Sequence, residues 1–184
     1  MKKGTNYKLA IIFLIITFTT ALITIYSSKA KVTLYPIYSK FMGMRLERAT
    51  STYAMIHDRS YNIYYPFRDM QLEDFDFKKY GDRVFEFFEL DNSKVVDVIM
   101  HSDRAYFHNL MGISLDRPTK GAYIGGKINI LKDDSKTTMI PNIFVHELTH
   151  YVTADIAKGN YPTWFAEGIA LYMEYKILGY EWGC

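Results

Sequence analysis

Cysteine is almost missing from this chain of 184 residues, because Cys184 is the only one. A single thiol cannot form an intramolecular disulfide, so packing, or packing together with a bound metal, must hold the fold. Internal repeats and low-complexity tracts are absent as well. What remains is an ordinary globular composition, 49% hydrophobic and 23% charged, with an unusual aromatic load of 16 Tyr, 12 Phe and 2 Trp.

A large excess of either charge is also missing, since the formal net charge is +2. Residues 1–30 carry four lysines and no acid, and without them 18 basic residues face 20 acidic ones. A chain this close to balance has no surface that would follow a phosphate backbone. We therefore expect no nucleic-acid partner.

Residues 9–28 contain no charged side chain. About 20 apolar residues can cross roughly 30 Å of hydrocarbon as a helix, so we expect a transmembrane helix here. Lys2, Lys3 and Lys8 precede it, which predicts a cytoplasmic N-terminus and an extracytoplasmic C-terminal domain on a single-pass protein of the cell membrane. The alternative is a signal peptide cleaved near Ala30, which would release the domain by secretion.

The remaining sequence predicts one domain, with a signal-anchor segment at 1–30, a juxtamembrane segment at 31–60 and the working domain at 61–184. Patterns of apolar residues, Gly and caps predict strands at 61–65 and 95–100 and a hairpin across 121–130. They predict helices near 39–57, at 69–90, from Ser102-Asp103 to Leu110, from Pro141 to Lys158, and from Thr163 to Gly179. The expected fold class is α+β, with a small mixed sheet packed on a helix.

The sequence HELTH at 146–150 places two histidines four residues apart on the predicted helix 141–158. Residues at this spacing lie on one helix face, so His146 and His150 can reach one metal ion, most naturally zinc. Glu147 lies beside them, where a carboxylate can take a proton from a metal-activated water and act as the general base. An accidental match on a solvated helix is the alternative, and the helical context argues against it.

A catalytic zinc takes three protein ligands and keeps one position open, so a third ligand is needed. Glu167 follows His150 by 17 residues, on the next predicted helix. Its neighbours, from Trp164 to Ala170, are apolar or small, and a carboxylate in such surroundings is costly unless it is paired or bound to a metal. We therefore predict His146, His150 and Glu167 as zinc ligands.

Other polar residues carry weaker signals. His57, His101 and His108 have no ligand partner at helical spacing and are expected to be surface or satisfied core histidines. Glu174 follows Glu167 by seven residues and could orient one of the liganding histidines, although a solvated carboxylate is the favoured interpretation. The aromatic stripe between 75 and 90 is expected to be core.

Three blocks together resemble the gluzincin metallopeptidases, and specifically the bacterial peptidase-MA-like domain. These blocks are GAY with INI at 121–130, HELTH at 146–150, and PTWFAEGIALY at 162–172. The resemblance covers roughly residues 61–178. It implies a zincin-like fold, zinc ligands at His146, His150 and Glu167, a base at Glu147, and an edge strand within 121–131 that pairs with an extended peptide.

The resemblance has one departure. Related peptidases carry a further helical subdomain, usually with a His or Tyr that stabilises the oxyanion, whereas here only Tyr172, Tyr175 and Tyr180 offer hydroxyls after Glu167. The expected function is a membrane-anchored zinc metallopeptidase that hydrolyses peptide bonds in a peptide or protein substrate. The alternative is a catalytically inactive domain that binds zinc or a peptide.

Overall fold

A computed structural model describes residues 6–26, 28–66, 75–132 and 139–179 of the chain. Six helices and five strands lie in these ranges. The helices are α1 Asn6–Tyr26, α2 Ser28–Ala49, α3 Phe77–Phe87, α4 Arg104–Met111, α5 Ile140–Ala157 and α6 Thr163–Leu178. The strands are β1 Ala54–Asp58, β2 Tyr61–Tyr65, β3 Val96–His101, β4 Gly121–Ile124 and β5 Lys127–Leu131.

The five strands form one mixed sheet in the order β1-β2-β3-β5-β4. β2, β3 and β5 run parallel, while β1 and β4 each pair antiparallel with the neighbouring strand. The fold class is therefore α+β. β4 lies at one edge of the sheet, next to the N-terminal half of α5.

Helices cover both faces of the sheet. Alternate side chains of a strand point to opposite faces, so Val98 and Ile130 join a core with α3, α5 and α6, whereas Ile99 and Leu131 join a second core with α2 and α4. Phe144 of α5 lies at the centre of the first core with no exposed surface. Because the Phe144 side of α5 is buried against the sheet, only the opposite side of the helix can face away from the core.

Short polar signals set several element ends. The Asp103 side chain accepts a hydrogen bond from the backbone N–H of Tyr106 and caps α4, which ends at Gly112 in the left-handed region. Gly125 and Gly126, with φ of 64° and 79°, form the two-residue turn between β4 and β5. These three predictions are confirmed.

Other predicted boundaries differ from the structure. The helix expected at 69–90 is confirmed as α3 over Phe77–Phe87, and its first predicted residues, 69–74, lie outside the described ranges. The helix expected at 39–57 is wrong in its last part, because α2 ends at Ala49 and Ala54–Asp58 form β1. Pro162 rather than Thr163 occupies the N-cap position of α6.

The transmembrane helix expected over residues 9–28 is wrong. Residues 6–26 are helical, but none of the helices described is both long and apolar enough to cross a membrane. The membrane partner expected for residues 9–28 and the segment boundaries at 30 and 60 stay predictions.

Candidate metal centre

α5 carries both histidines of the HELTH sequence on one side. His146 and His150 are four residues apart, and their rings meet at a centroid distance of 4.7 Å. The Nε2 atoms of the two rings lie 3.0 Å from each other. Val145, Leu148 and Val152 of the same helix are fully buried against the sheet, so the two imidazoles point away from the core.

α6 brings the third predicted ligand to the same point. Residues 158–162 reverse the chain, with Lys158 and Gly159 both in the left-handed region at φ of 50° and 77°. The Glu167 carboxylate then lies with Oε2 at 3.4 Å from His146 Nε2 and Oε1 at 3.6 Å from His150 Nε2. All three donor atoms lie within 4.8 Å of one another, and no other group of this kind is found in the described ranges.

The spacing of these atoms fits a zinc ion. Tetrahedral ligands at bond lengths of about 2.0–2.1 Å lie about 3.3 Å apart. The two Nε2 atoms are 3.0 Å apart and lie 3.4 and 3.6 Å from the two different Glu167 oxygens, which is close to that value. Two imidazole nitrogens and one carboxylate oxygen are also the donor types that zinc takes in catalytic sites. The Glu167 side chain is 52% exposed, which leaves the centre open to solvent on that side.

His146 is oriented by Glu174. Nδ1 of His146 donates to Oε1 of Glu174 at 2.6 Å, and the Glu174 side chain is only 1% exposed. This hydrogen bond directs the free electron pair of the neutral ring to Nε2, which faces the centre. Burial lowers the pKa of His146, but the bond to Glu174 and the nearby carboxylates outweigh it, so the pKa is raised.

The second histidine has the opposite electrostatic setting. Burial, followed by the charge on His146, lowers the pKa of His150 to about 4, against the opposing effect of Glu167. His150 therefore stays neutral at physiological pH. A neutral imidazole is the form that binds a metal ion.

Glu147 points toward the edge strand β4, and its carboxyl stays within electrostatic range of His146 and Glu167. The residue is 7% exposed, and burial raises the pKa of its carboxyl to about 7, although the charge of His146 and the backbone N–H of Tyr123 oppose this. A Cβ atom at Gly121 would lie only 2.5 Å from Oε1 of Glu147. The absence of a side chain at Gly121 is therefore what lets Glu147 lie against β4.

The outer edge of β4 has free backbone groups beside Glu147. Leu131 donates from its N–H to the Lys120 carbonyl, and Ile124 pairs with Lys127 across the tight turn. Hydrogen-bonded pairs alternate along an antiparallel ladder, so the N–H and C=O groups of Gly121 and Tyr123 point outward. Tyr123 N–H bonds Glu147, and the neighbouring groups remain at the sheet edge.

The structure places the sequence-predicted residues as follows. His146, His150 and Glu167 converge, and Glu147 lies next to them in sequence but on the β4 side of the helix. Glu167 was predicted as a ligand because its neighbours are apolar or small. That argument is wrong, because the Glu167 side chain is half exposed and the neighbouring Trp164 is 75% exposed. Proximity to the histidines distinguishes Glu167, and burial among apolar residues does not.

Two contributions were missed. Glu174 was expected to be solvated, yet it is buried and bonded to His146, because α6 turns its Met173, Glu174 and Ile177 side toward the core. The role of Gly121 was not predicted at all, since no sequence signal says which strand residue will meet a helix. Of the other histidines, His57 is exposed, while His101 and His108 are buried.

No protein-family model matches the chain, and no curated protein matches it either. The site therefore has to be interpreted from its own geometry.

Proposed function

We propose that this chain is a zinc-dependent metallopeptidase. The observation that carries the proposal is a convergence on two helices joined by a short turn. The Nε2 atoms of His146 and His150 lie 3.0 Å apart, and they lie 3.4 and 3.6 Å from different oxygens of the Glu167 carboxylate. This donor set suits zinc and leaves one ligand position open. An open position is what separates a hydrolytic site from a structural one.

When bound, zinc supplies a Lewis acid that polarises a carbonyl group and makes a water molecule more acidic. Glu147 supplies the proton transfer: its carboxylate takes a proton from the attacking water and delivers it to the departing amine. Its place in the sequence, directly after a ligand, keeps it near the reacting atoms. The contact with Gly121 and the bond from Tyr123 N–H limit the directions in which the carboxylate can point.

β4 offers the means to hold a substrate. The outward backbone groups of Gly121 and the outward carbonyl of Tyr123 can pair with the backbone of an extended peptide, as a further strand of the sheet. Such pairing would run past Glu147, because Gly121 contacts that side chain. Backbone pairing recognises peptides in general, which supports peptide hydrolysis over hydrolysis of a small molecule.

One observation favours the inactive alternative, a domain that binds zinc or a peptide without cleaving it. Of the tyrosines considered for oxyanion stabilisation, Tyr172 packs on Phe87 of α3 with ring centroids 6.0 Å apart, and Tyr180 lies outside the described residues. Tyr175 is 52% exposed. Loss of one oxyanion donor costs on the order of 100 to 1,000-fold in rate, so the activity itself must be measured.

The test compares the full chain with Glu147→Gln and with Glu86→Gln, an exposed acid on α3. Each protein is analysed for zinc content and for cleavage of denatured casein, with and without a chelator. We expect one equivalent of zinc in all three. Cleavage should persist in Glu86→Gln, stop with chelator, and fall by about 100-fold or more in Glu147→Gln.

The outcomes separate the alternatives. Zinc at one equivalent without cleavage by any of the three proteins would support the inactive binding domain. A chain that takes up no zinc under these conditions would remove both proposals. Equal cleavage by wild type and Glu147→Gln would leave a zinc hydrolase whose base is another residue.

A further inference from the structure

A cavity of about 640 Å³ lies between α2 and the C-terminal half of α5, next to the end of β4. Tyr35, Lys40 and Met44 line it from α2, Tyr123 from β4, Tyr151 from α5, and Lys158 from the turn that follows α5. Tyr151 lies one helical turn after Glu147, on the same face of α5. The cavity therefore continues along the helix from the side where Glu147 meets the edge strand.

Close backbone packing forms this space. A Cβ at Gly43 would lie 2.9 Å from the carbonyl oxygen of Gly125, so α2 crosses the β4–β5 turn with no side chain between them. Further along, the Tyr35 ring lies over Gly159, where an added Cβ would be 3.1 Å away. Tyr35 also hydrogen-bonds the Tyr123 side chain. The walls are thus held in place by contacts of the folded chain itself.

Three of the four charged residues that line the cavity have partners, and the fourth, Lys40, is exposed to solvent. Asp155 accepts hydrogen bonds from Lys94 at 2.7 Å and from Lys158 at 3.1 Å. Glu47 lies 3.7 Å from the ammonium of Lys127. A charged ligand group would have to compete with these pairs, so the part of the cavity away from Lys40 favours an uncharged group.

The aromatic walls favour a large apolar group. The rings of Tyr123 and Tyr151 meet edge to face at 5.8 Å, and Tyr35 adds a third ring. Cavities of this size, lined mainly by aromatic and apolar side chains with a few polar groups, are typical of sites for organic ligands. Aromatic edges and faces also add attraction for another ring.

Tyr123 links this cavity to the edge strand, because it belongs to both. We propose that the cavity receives a large apolar or aromatic side chain of the peptide that pairs with β4, and so sets which peptides are bound. Side chains of such a peptide alternate between the two faces of the sheet, and those on the α5 side pass the Tyr123 ring. This inference rests on the proposed function, because it takes over the pairing of a peptide with β4. A binding measurement tests it without any need for cleavage.

The test measures binding of fluorescent, acetylated peptides to the full chain carrying Glu147→Gln, so that no peptide is cut. The peptides consist of alanine and threonine, and in each peptide a single position carries Phe, Leu, Ala, Lys or Glu. The set moves this varied position along the peptide one residue at a time. We expect Phe and Leu at one fixed position to bind about 10-fold tighter than Ala, and Lys or Glu no tighter than Ala.

Two variants fill the cavity from α2, namely Ser39→Trp and Met44→Trp, and either one suffices if the other fails to fold. Each should reduce the preference for Phe and Leu to within about 2-fold of Ala. The control Phe41→Trp adds bulk on α2 at a residue that is 60% exposed and does not line the cavity, and should keep the preference.

Equal binding of all peptides, or a preference that survives a folded filling variant, would overturn the proposal. Failure of the proposed function is distinguishable, since casein cleavage is measured separately. A preference for aromatic residues without cleavage would support the proposal for the cavity and contradict the proposed peptidase. Cleavage with no residue preference would support the peptidase and contradict the proposal for the cavity.

Discussion

Nδ1 of His146 lies 2.6 Å from Oε1 of Glu174, which joins α5 to α6 beside the three converging candidate ligands. The Glu174 carboxylate is buried, and its Oε2 has no hydrogen-bond partner among the described residues. A buried, half-satisfied carboxylate is costly unless it gains a strong interaction. The hydrogen bond to His146 provides one, and it also holds the ring in the orientation and tautomer that a bound metal would need.

The first prediction follows from this pair. Glu174→Leu removes the acceptor for His146 Nδ1 and should weaken zinc binding by about 10- to 100-fold, whereas Glu174→Gln keeps an acceptor and should lose less. Competition titration against a chromophoric chelator measures both affinities. Glu86→Leu, at an exposed position of α3, controls for the loss of an acid. Unchanged affinity in Glu174→Leu would show that the hydrogen bond does not orient the ligand.

The second prediction concerns Gly121 on β4. Gly121→Ala places a Cβ 2.5 Å from Glu147 Oε1 and 2.5 Å from Ile143 Cγ2, so the Glu147 side chain must move. A displacement of about 1 Å at a catalytic group can cost on the order of 100-fold in rate. We expect kcat for peptide cleavage to fall by about that factor while zinc content stays at one equivalent.

Gly168→Ala is the matched control for this substitution, since a Cβ there meets no atom within 4 Å. It lies inside α6, where alanine is favoured over glycine, and should keep kcat unchanged. If both alanine variants lose activity equally, the contact between Gly121 and Glu147 is not the cause.

The third prediction is a pH dependence of stability. His101 is fully buried, its Nε2–H donates to Asn129 Oδ1 at 3.1 Å, and burial lowers its pKa below the usual 6.5. Below about pH 6.5 the unfolded chain therefore binds more protons than the folded one at this residue. The contribution of His101 to the free energy of unfolding should therefore be complete above about pH 6.5 and should be lost as the pH falls toward the folded-state pKa.

Urea denaturation at a series of pH values checks this effect. His101→Gln keeps an amide donor for Asn129 but cannot titrate, so its unfolding free energy should vary less with pH between 6.5 and 5 than that of wild type. The same substitution at exposed His57 serves as the control. Parallel curves for wild type and His101→Gln would contradict the prediction.

The fourth prediction concerns the core beneath the candidate metal centre. Phe144 is fully buried and meets Tyr61, Phe75 and Phe77 at ring centroid distances of 5.0–5.7 Å. Phe144→Ala should lower the free energy of unfolding by about 3–5 kcal/mol, because a cavity remains. Phe41→Ala, at an exposed site, should change it by about 0.5 kcal/mol or less. Chemical denaturation of both variants measures the difference.

Sequence reasoning succeeded where local chemistry decides the structure. The Asp103 cap, the Gly125-Gly126 turn and the HELTH helix each depend on a few neighbouring residues. Glu167, 17 residues after His150, also lies beside both histidines, because a helix, a short turn and a returning helix bring it there.

Where distant residues decide the structure, sequence reasoning failed. β1 shows no inward alternation of its own, with Met55 and Ile56 both exposed, so only pairing with β2 makes it a strand. Glu174 is comparable: α6 is apolar on most sides, and its packing on α3 and α5 determines which side is buried. Neither outcome is written in a local pattern.

The left-handed pair at Lys158 and Gly159 sets more than the path of the chain. One residue inserted into α6 between this turn and Glu167 would move the Glu167 side chain by about 100° around the helix axis and carry it off the histidines. The ligand geometry thus depends on the number of residues between the turn and Glu167. An ion held there would act as a staple across that hairpin and slow hydrogen exchange in α6.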